Sequence, residues 1–255
     1  ATHVLFFDME RLVTTITLRW SPAHDVEVGG RVTLETTGPG VLDGVILDWH
    51  NRFGFGNANR DRFPEGVYRQ QLTDGARDTV IDIPRSTFGR QDVRAFVKWR
   101  ALRSSDLRSV LSLKTVLRFP GNTTQTSDAR ADVGVIALAR IGVGSWYTHA
   151  MLGGSTVRAA PVLESKLSDS SYFFTLALER SLGSSIAAIV QFQTQSAVLR
   201  SFDHRELDRA PTNLIFGVSG RLGSSWRWNA SFQEDVPADT PAVDFTVGLS
   251  VARSW

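Results

Sequence analysis

From Val243 to Trp255 the chain alternates by parity: Val243, Phe245, Val247, Leu249, Val251 and Trp255 are large and apolar, while Asp244, Thr246, Gly248, Ser250, Ala252 and Ser254 are small or polar. A period of two predicts a β-strand whose faces meet different surroundings. One side is uniformly greasy and the other carries a carboxylate and hydroxyls, which suits lipid outside and a wet lumen inside.

The same pattern recurs along the chain. Leu12, Thr14, Ile16, Leu18 and Trp20 alternate with Val13, Thr15, Thr17 and Arg19, and Ser21-Pro22-Ala23-His24 predicts a turn. Asp25 to Thr37 resumes with Val26, Val28, Val32 and Leu34 outward and Glu27, Arg31, Thr33 and Glu35 inward. Val93, Ala95, Val97, Trp99 and Ala101 then face away from Arg94, Phe96, Lys98 and Arg100, and Leu107, Leu111, Leu113 and Leu117 away from Arg108, Ser112, Lys114 and Arg118. Parity is less clear over Ala131–Arg140 and Ser145–Leu152. Two hairpins restore it: Tyr172 to Leu178 returning through Ile186 to Phe192, and Leu214 to Val218 returning through Trp226 to Phe232.

Residues 38–91 interrupt the alternation. Within them Val41 to Phe53 predicts a short amphipathic helix with Val41, Val45, Ile46, Trp49 and Phe53 on one face. Tyr68–Leu72 and Thr79–Ile83 suggest a hairpin projecting from a rim. Connections elsewhere are alternately short and long, as in outer-membrane barrels with short periplasmic turns and longer external loops. Trp20, Trp99, Trp146, Trp226, Trp228 and Trp255 fall near strand ends, where interfacial aromatic girdles form. The expected fold is all-β: one up-and-down antiparallel transmembrane β-barrel spanning 1–255, with a helical extracellular or plug loop. If Trp255 ends in the periplasm, an upward strand must precede the strand ending at Trp20, and His3 to Phe7 is the candidate. That gives about 12 strands, or 14 if the 64–84 hairpin joins the wall.

Composition narrows the class without changing it. The chain is 42% hydrophobic and 21% charged, which excludes a disordered or low-complexity protein. No apolar run approaches the roughly 18–20 residues of a transmembrane helix, so membrane residence requires a closed barrel. There is no cysteine, hence no disulfide or thiolate metal site. A net charge of +2 speaks against a nucleic-acid partner. The sequence opens at Ala1-Thr2 without a basic segment and apolar stretch of the secretory type.

Val41-Leu42-Asp43-Gly44, Asp48-Trp49-His50, Phe53-Gly54, Arg60 and Pro64 resemble the signature loop of an uncharacterised bacterial outer-membrane barrel family, domain of unknown function 3187. Glu234-Asp235-Val236 followed by Val243-Asp244-Phe245 is similar to that family's last hairpin. Where the family pattern has Gly-Leu-Gly-Asp before a strand, this chain has Gly89-Arg90-Gln91-Asp92. More remotely the architecture resembles twelve-stranded channels associated with uptake of hydrophobic compounds. The resemblance implies an outer-membrane location and a barrel fold, and brings no established activity. It implies contact with the lipid bilayer and lipopolysaccharide, and insertion by the barrel-assembly machinery with Trp255 at the insertion end.

Three groups of residues carry candidate chemistry. Arg94, Lys98, Arg100, Arg108, Lys114 and Arg118 form a basic ladder on two strands, with inward carboxylates at Glu27, Glu35 and Glu179. Strands about 4.8 Å apart would merge the ladder into one wall, giving a field that favours anions in a pore, or cross-links that plug a small lumen. The second group is the loop with Asp43, Val45, Ile46, Asp48, Trp49, His50, Phe53 and Arg60, a plug against a greasy solute or a cap on the barrel end. Third, lipid-modifying barrels need a base and nucleophile two residues apart on a strand, yet Leu5, Val26, Arg52, Met151 and Glu206 follow His3, His24, His50, His149 and His204 at that spacing. No catalytic residue, cofactor or metal is therefore expected. The readings are a passive channel for a small solute, or a non-conducting barrel that docks an envelope protein.

Overall fold

In the computed structural model, residues 4–8, 10–39, 43–54, 68–73, 79–83, 87–121, 131–157, 167–197, 209–236 and 245–254 are described. Fourteen strands and one helix follow in chain order: β1 (Val4–Asp8), β2 (Glu10–Ala23), β3 (Val26–Gly38), α1 (Asp43–Phe53), β4 (Arg69–Thr73), β5 (Thr79–Ile83), β6 (Phe88–Arg103), β7 (Val110–Pro120), β8 (Asp132–Val143), β9 (Trp146–Thr156), β10 (Ser170–Ser181), β11 (Ile186–Gln195), β12 (Thr212–Leu222), β13 (Trp226–Asp235) and β14 (Phe245–Arg253). Eleven of them form one antiparallel up-and-down sheet in the order β14-β13-β12-β11-β10-β9-β8-β7-β6-β3-β2, curled into a half-barrel. Short turns close one end and long connections the other, which sets the periplasmic and external ends.

The strand expected at His3 to Phe7 is not part of this wall. β1 pairs instead with β4, and β4 with β5, in a separate three-stranded sheet. Only Met9 lies between β1 and β2, and the tightest common hairpin needs two connecting residues. β1 therefore cannot turn back to run antiparallel beside β2; it leaves the wall toward the external hairpin. The wall has eleven strands among the described residues, rather than twelve.

The two faces separate as the alternation demands. Leu176, Leu178, Val190, Phe216, Val218, Val247 and Leu249 are exposed on the outer parity, Leu249 by 78%. In water such a surface would be untenable; against hydrocarbon it is what holds the barrel in place. Thr175 and Ala177, on the other parity, are buried. β8 and β9, ambiguous in sequence, follow the same rule: Val133, Val135 and Leu152 are exposed outward.

Aromatic rings mark the edges of the apolar band. Trp20, Trp146 and Trp226 are exposed near the periplasmic turns, and Phe88, Phe119 and Tyr172 near the external ends. Arg180 lies over the Trp146 ring and Arg253 over Trp226, at 5.2 and 5.5 Å from the ring centres. The periplasmic turns are laced to each other by arginines. Arg108 donates to the Gly144 carbonyl, Arg140 to Leu107 and Arg221 to Ser184.

β6 begins at Phe88, earlier than the alternation suggested. Its ladder with β3 shifts register between Thr33 and Leu34, where Asp92 and Arg90 are the partners and Gln91 is extra. This bulge hides the strand's first residues from a period-two reading. Gly121 fits against it, donating to the Gln91 carbonyl at 2.8 Å; a Cβ at Gly121 would lie 1.6 Å from the Arg90 carbonyl oxygen, so only glycine fits.

Candidate functional site

The inner faces of β2, β3, β6, β7 and β8 carry a graded charge network. Arg31, Arg94 and Arg118 are direct cross-strand neighbours on β3, β6 and β7, and Asp132 on β8 completes the row. Directly opposed side chains have Cβ atoms about 4.5–5.5 Å apart, and like charges so placed repel. Carboxylates relieve part of this. Asp92 accepts from Arg94 Nη2 at 2.6 Å and Nε at 2.9 Å, and from Arg118 Nε at 3.2 Å. Arg118 Nη1 then donates to Asp132 at 2.9 Å. Among the described residues Asp92 is the most deeply buried charged side chain, at 1% exposed.

Toward the periplasm comes a level of small and aromatic residues, Arg19 opposite Gly29 and Gly29 opposite Phe96. The Phe96 ring lies over Gly29, where a Cβ would come within 2.4 Å of it. Below it, Glu27, Lys98 and Lys114 share a level. Lys98 Nζ reaches Glu27 at 3.1 Å, whereas Lys114 Nζ stands 4.0 Å over the Phe96 ring. Near the external end Arg11 pairs with Glu35 at 2.8 Å. Arg19, Arg31 and Lys114 make no close ion pair among the described residues; Lys114 lies within electrostatic range of Arg19, Glu27 and Arg31, and Arg31 of Arg94 and Asp92. The wall therefore keeps a positive surplus after its internal pairs are counted.

The opposite wall is polar and less densely charged. Thr175, Gln191, Gln193 and Asn213 face inward there, with a Gln191 Nε2 to Gln193 Oε1 contact of 3.4 Å. His149 and Glu179 pair across β9 and β10 at 2.9 Å. The lumen is thus basic on one side, and on the other its amides stand beside the His149–Glu179 pair and Asp235, which lies across from Asn213.

Of the expected basic ladder, Arg94, Lys98, Lys114 and Arg118 stand together on this wall. Arg100 sits at its periplasmic end, 3.5 Å from Asp25. Arg108 does not belong to it. β7 starts only at Val110, Leu107 turns the chain with a φ of 57°, and Arg108 reaches the next turn and the Tyr147 ring. Glu27 and Glu35 lie on the wall itself, each neutralising one cation. Asp92, Asp132, Arg19 and Arg31 complete the network; the inward parity of Arg19 and Arg31 was visible in the alternation, whereas the bulge concealed Asp92 and weak parity concealed Asp132.

α1 has a different position from that of a plug. The Trp49 ring is 5.0 Å from Phe232 and 4.3 Å from Phe53, and His50 Nε2 lies 3.5 Å from Glu234 Oε1. Phe232 and Glu234 oppose Val247 and Phe245 in the β13–β14 ladder. Val247, directly across from Phe232, is 67% exposed on the outer parity. These contacts place α1 on the outside of the wall's external end, with His50 and Glu234 buried between them. Val45, Asp48 and Phe53 lie on α1, the first and last exposed. The side chains of Asp43 and Ile46, and the whole of Arg60 and Trp255, lie outside the described residues.

An antiparallel sheet with a lipid-compatible exterior and a charged interior defines a bacterial outer-membrane β-barrel protein, in contact with the lipid bilayer. The chain belongs to the family described as "Protein of unknown function (DUF3187)", matched over residues 1–255. Among solved structures it is similar to the COG4313 outer membrane channel from Pseudomonas putida F1, with a TM-score of 0.57 and 11% identity, covering 94% of this chain and 82% of that one. A second similarity, to outer membrane phospholipase A from Escherichia coli, has a TM-score of 0.42 and 10% identity, covering 96% of this chain and 77% of that one. No curated protein matches the sequence.

Proposed function

We propose that this protein is a passive outer-membrane channel for small solutes whose basic lumen wall favours anions. The observation that carries this reading is the cluster of Arg19, Arg31 and Lys114, inward-facing cations without a close ion pair among the described residues, beside the Arg94–Asp92–Arg118–Asp132 chain. Unneutralised charge on one wall of a low-dielectric conduit attracts counter-ions and raises their local concentration. The internally paired arginines hold the strands in register, and the unpaired ones act on the solute. The amides of the opposite wall supply hydrogen bonds there, beside the His149–Glu179 pair. The likeness to a protein titled an outer membrane channel supports the same reading. Lipopolysaccharide contacts at the external girdle and insertion through the barrel-assembly machinery belong to this proposal.

The test is liposome swelling with solutes of matched size. Liposomes containing the folded protein should admit a small carboxylate faster than a neutral sugar alcohol, and that faster than a small ammonium. Equal rates for all three, or no swelling above protein-free liposomes, would overturn the proposal.

A further inference from the structure

Two arginines stand on the lipid-facing side of the wall. The outward parity of β10 reads Leu176, Leu178, Arg180 and that of β14 reads Val247, Leu249, Val251, Arg253, so each apolar stripe ends in a guanidinium at the periplasmic rim. One step up the same face, Leu178 and Val251 are exposed to hydrocarbon. A cation on the lipid side is costly at the bilayer midplane and nearly free at the headgroup level. That cost fixes the depth of both arginines.

Each guanidinium is held by a tryptophan. Arg180 and Trp146 are direct partners in the β9–β10 ladder, and Arg253 and Trp226 in the β13–β14 ladder. The guanidinium carbon lies 5.2 Å from the ring centre in the first pair and 5.5 Å in the second. Contact with a ring uses one face of a guanidinium and leaves its in-plane N–H groups free. Among the described residues neither arginine has a hydrogen bond or ion pair to a protein group. Arg108, Arg140 and Arg221 at the same rim donate instead to turn carbonyls. The two indole N–H groups, which can only donate, also have no acceptor among the described residues. Each pair therefore presents donors alone, at the foot of an apolar stripe.

We infer that Arg180 with Trp146, and Arg253 with Trp226, are two binding sites for an anionic glycerophospholipid of the periplasmic leaflet. Each guanidinium donates in its plane to phosphodiester oxygens, a planar fork matched to them, while an acyl chain lies along Leu178 or Val251. The ligand has to be an amphiphile, because donors and apolar stripe are continuous on one face. It has to be anionic, because a zwitterionic headgroup brings an ammonium that needs a carboxylate. No carboxylate stands on the outward parity of β9, β10, β13 or β14 at this rim. Glu179, next to Arg180, faces the lumen and pairs with His149. β11 and β12, between the two pairs, present Ile186 and Leu222 outward at the same level, so the sites are discrete and not a continuous basic girdle. This inference rests on the barrel fold and holds whether or not the lumen conducts.

The test is native mass spectrometry of the folded protein in detergent with equimolar phosphatidylglycerol and phosphatidylethanolamine of matched chains. Phosphatidylglycerol adducts should exceed phosphatidylethanolamine adducts about fivefold, the preference one arginine gives at a headgroup, and should saturate at two. Arg180→Gln and Arg253→Gln should each remove one adduct, and together bring the ratio to about one with the unfolding midpoint unchanged. Arg227→Gln, which removes the same charge from the lumen side of the rim, should leave the ratio as it was. Equal adducts of the two lipids on the parent protein, or a preference that survives the double substitution, would overturn the sites. A loss on Arg227→Gln equal to that on Arg253→Gln would assign the preference to net charge and overturn them too. Displacement of phosphatidylglycerol by an equal concentration of inorganic phosphate would overturn the lipid as ligand.

Discussion

Replacing Asp92 by Asn tests whether the arginine row is held together by its carboxylates. The substitution preserves shape and removes the one acceptor shared by Arg94 and Arg118, at 2.6 and 3.2 Å. Breaking a buried ion pair by removing one partner costs about 3–5 kcal/mol. The carboxylate is almost fully buried, but the Arg94 and Arg118 side chains remain 38% and 33% exposed. Screening of those two charges lowers the expected loss to roughly 2–3 kcal/mol. Because the charge left behind belongs to the two guanidiniums, adding Arg94→Gln to Asp92→Asn should restore about 1 kcal/mol or more. Urea unfolding in lipid vesicles, followed by tryptophan fluorescence, measures both variants. An Asp92→Asn protein within about 0.5 kcal/mol of the parent, the range of an ordinary surface change, would refute the reasoning, as would a double variant no more stable than Asp92→Asn alone.

Other consequences follow from the same geometry. Leu176→Arg, in the middle of β10 on the exposed outer parity, should destabilise the barrel in lipid by about 2–4 kcal/mol, while Ala177→Ser, one residue away and facing the lumen, should change unfolding little. Arg19→Gln, Arg31→Gln and Lys114→Gln combined should lower the chloride-to-potassium permeability ratio severalfold, and an unchanged ratio would separate these cations from selectivity. In the periplasmic turn, the Ser104 hydroxyl and then the Arg108 N–H hold the Asp106 carboxyl below its ordinary range. A depressed carboxylate contributes stability above its unfolded pKa of about 3.9 and loses it as pH falls through the lower folded value. The melting-temperature difference between Asp106→Ala and the parent should therefore be present at neutral pH and shrink only in acid below the usual aspartate range.

The wall was legible in the sequence because period-two alternation is set by local stereochemistry, and lipid outside forces every outward residue to obey it. Tyr172 to Leu178 and Ile186 to Phe192 face as their parity says. What the alternation lacks is partnership. Val4–Asp8 has the composition of a wall strand, but a single intervening residue keeps it running in line with β2, and its partner is β4. Where the backbone departs from the ladder, parity miscounts: the bulge at Gln91 hid the start of β6, and the Leu107 turn sent Arg108 to the rim. The basic wall was readable as residue types, since inward Arg and Lys stand out against an apolar alternation. Its internal balance was not, because which cations stay unpaired depends on the levels at which Asp92 and Asp132 fall. The grip of α1 on Phe232 and Glu234 joins segments about 180 residues apart, so no local pattern marks it.

The most direct test of the channel assignment is the reversal potential of the folded wild-type protein in a planar bilayer under a potassium chloride gradient. A lumen wall with unpaired Arg19, Arg31 and Lys114 predicts discrete conductance steps and a reversal potential displaced toward the chloride equilibrium value. A silent bilayer containing folded protein, or a displacement toward the potassium value, would contradict it.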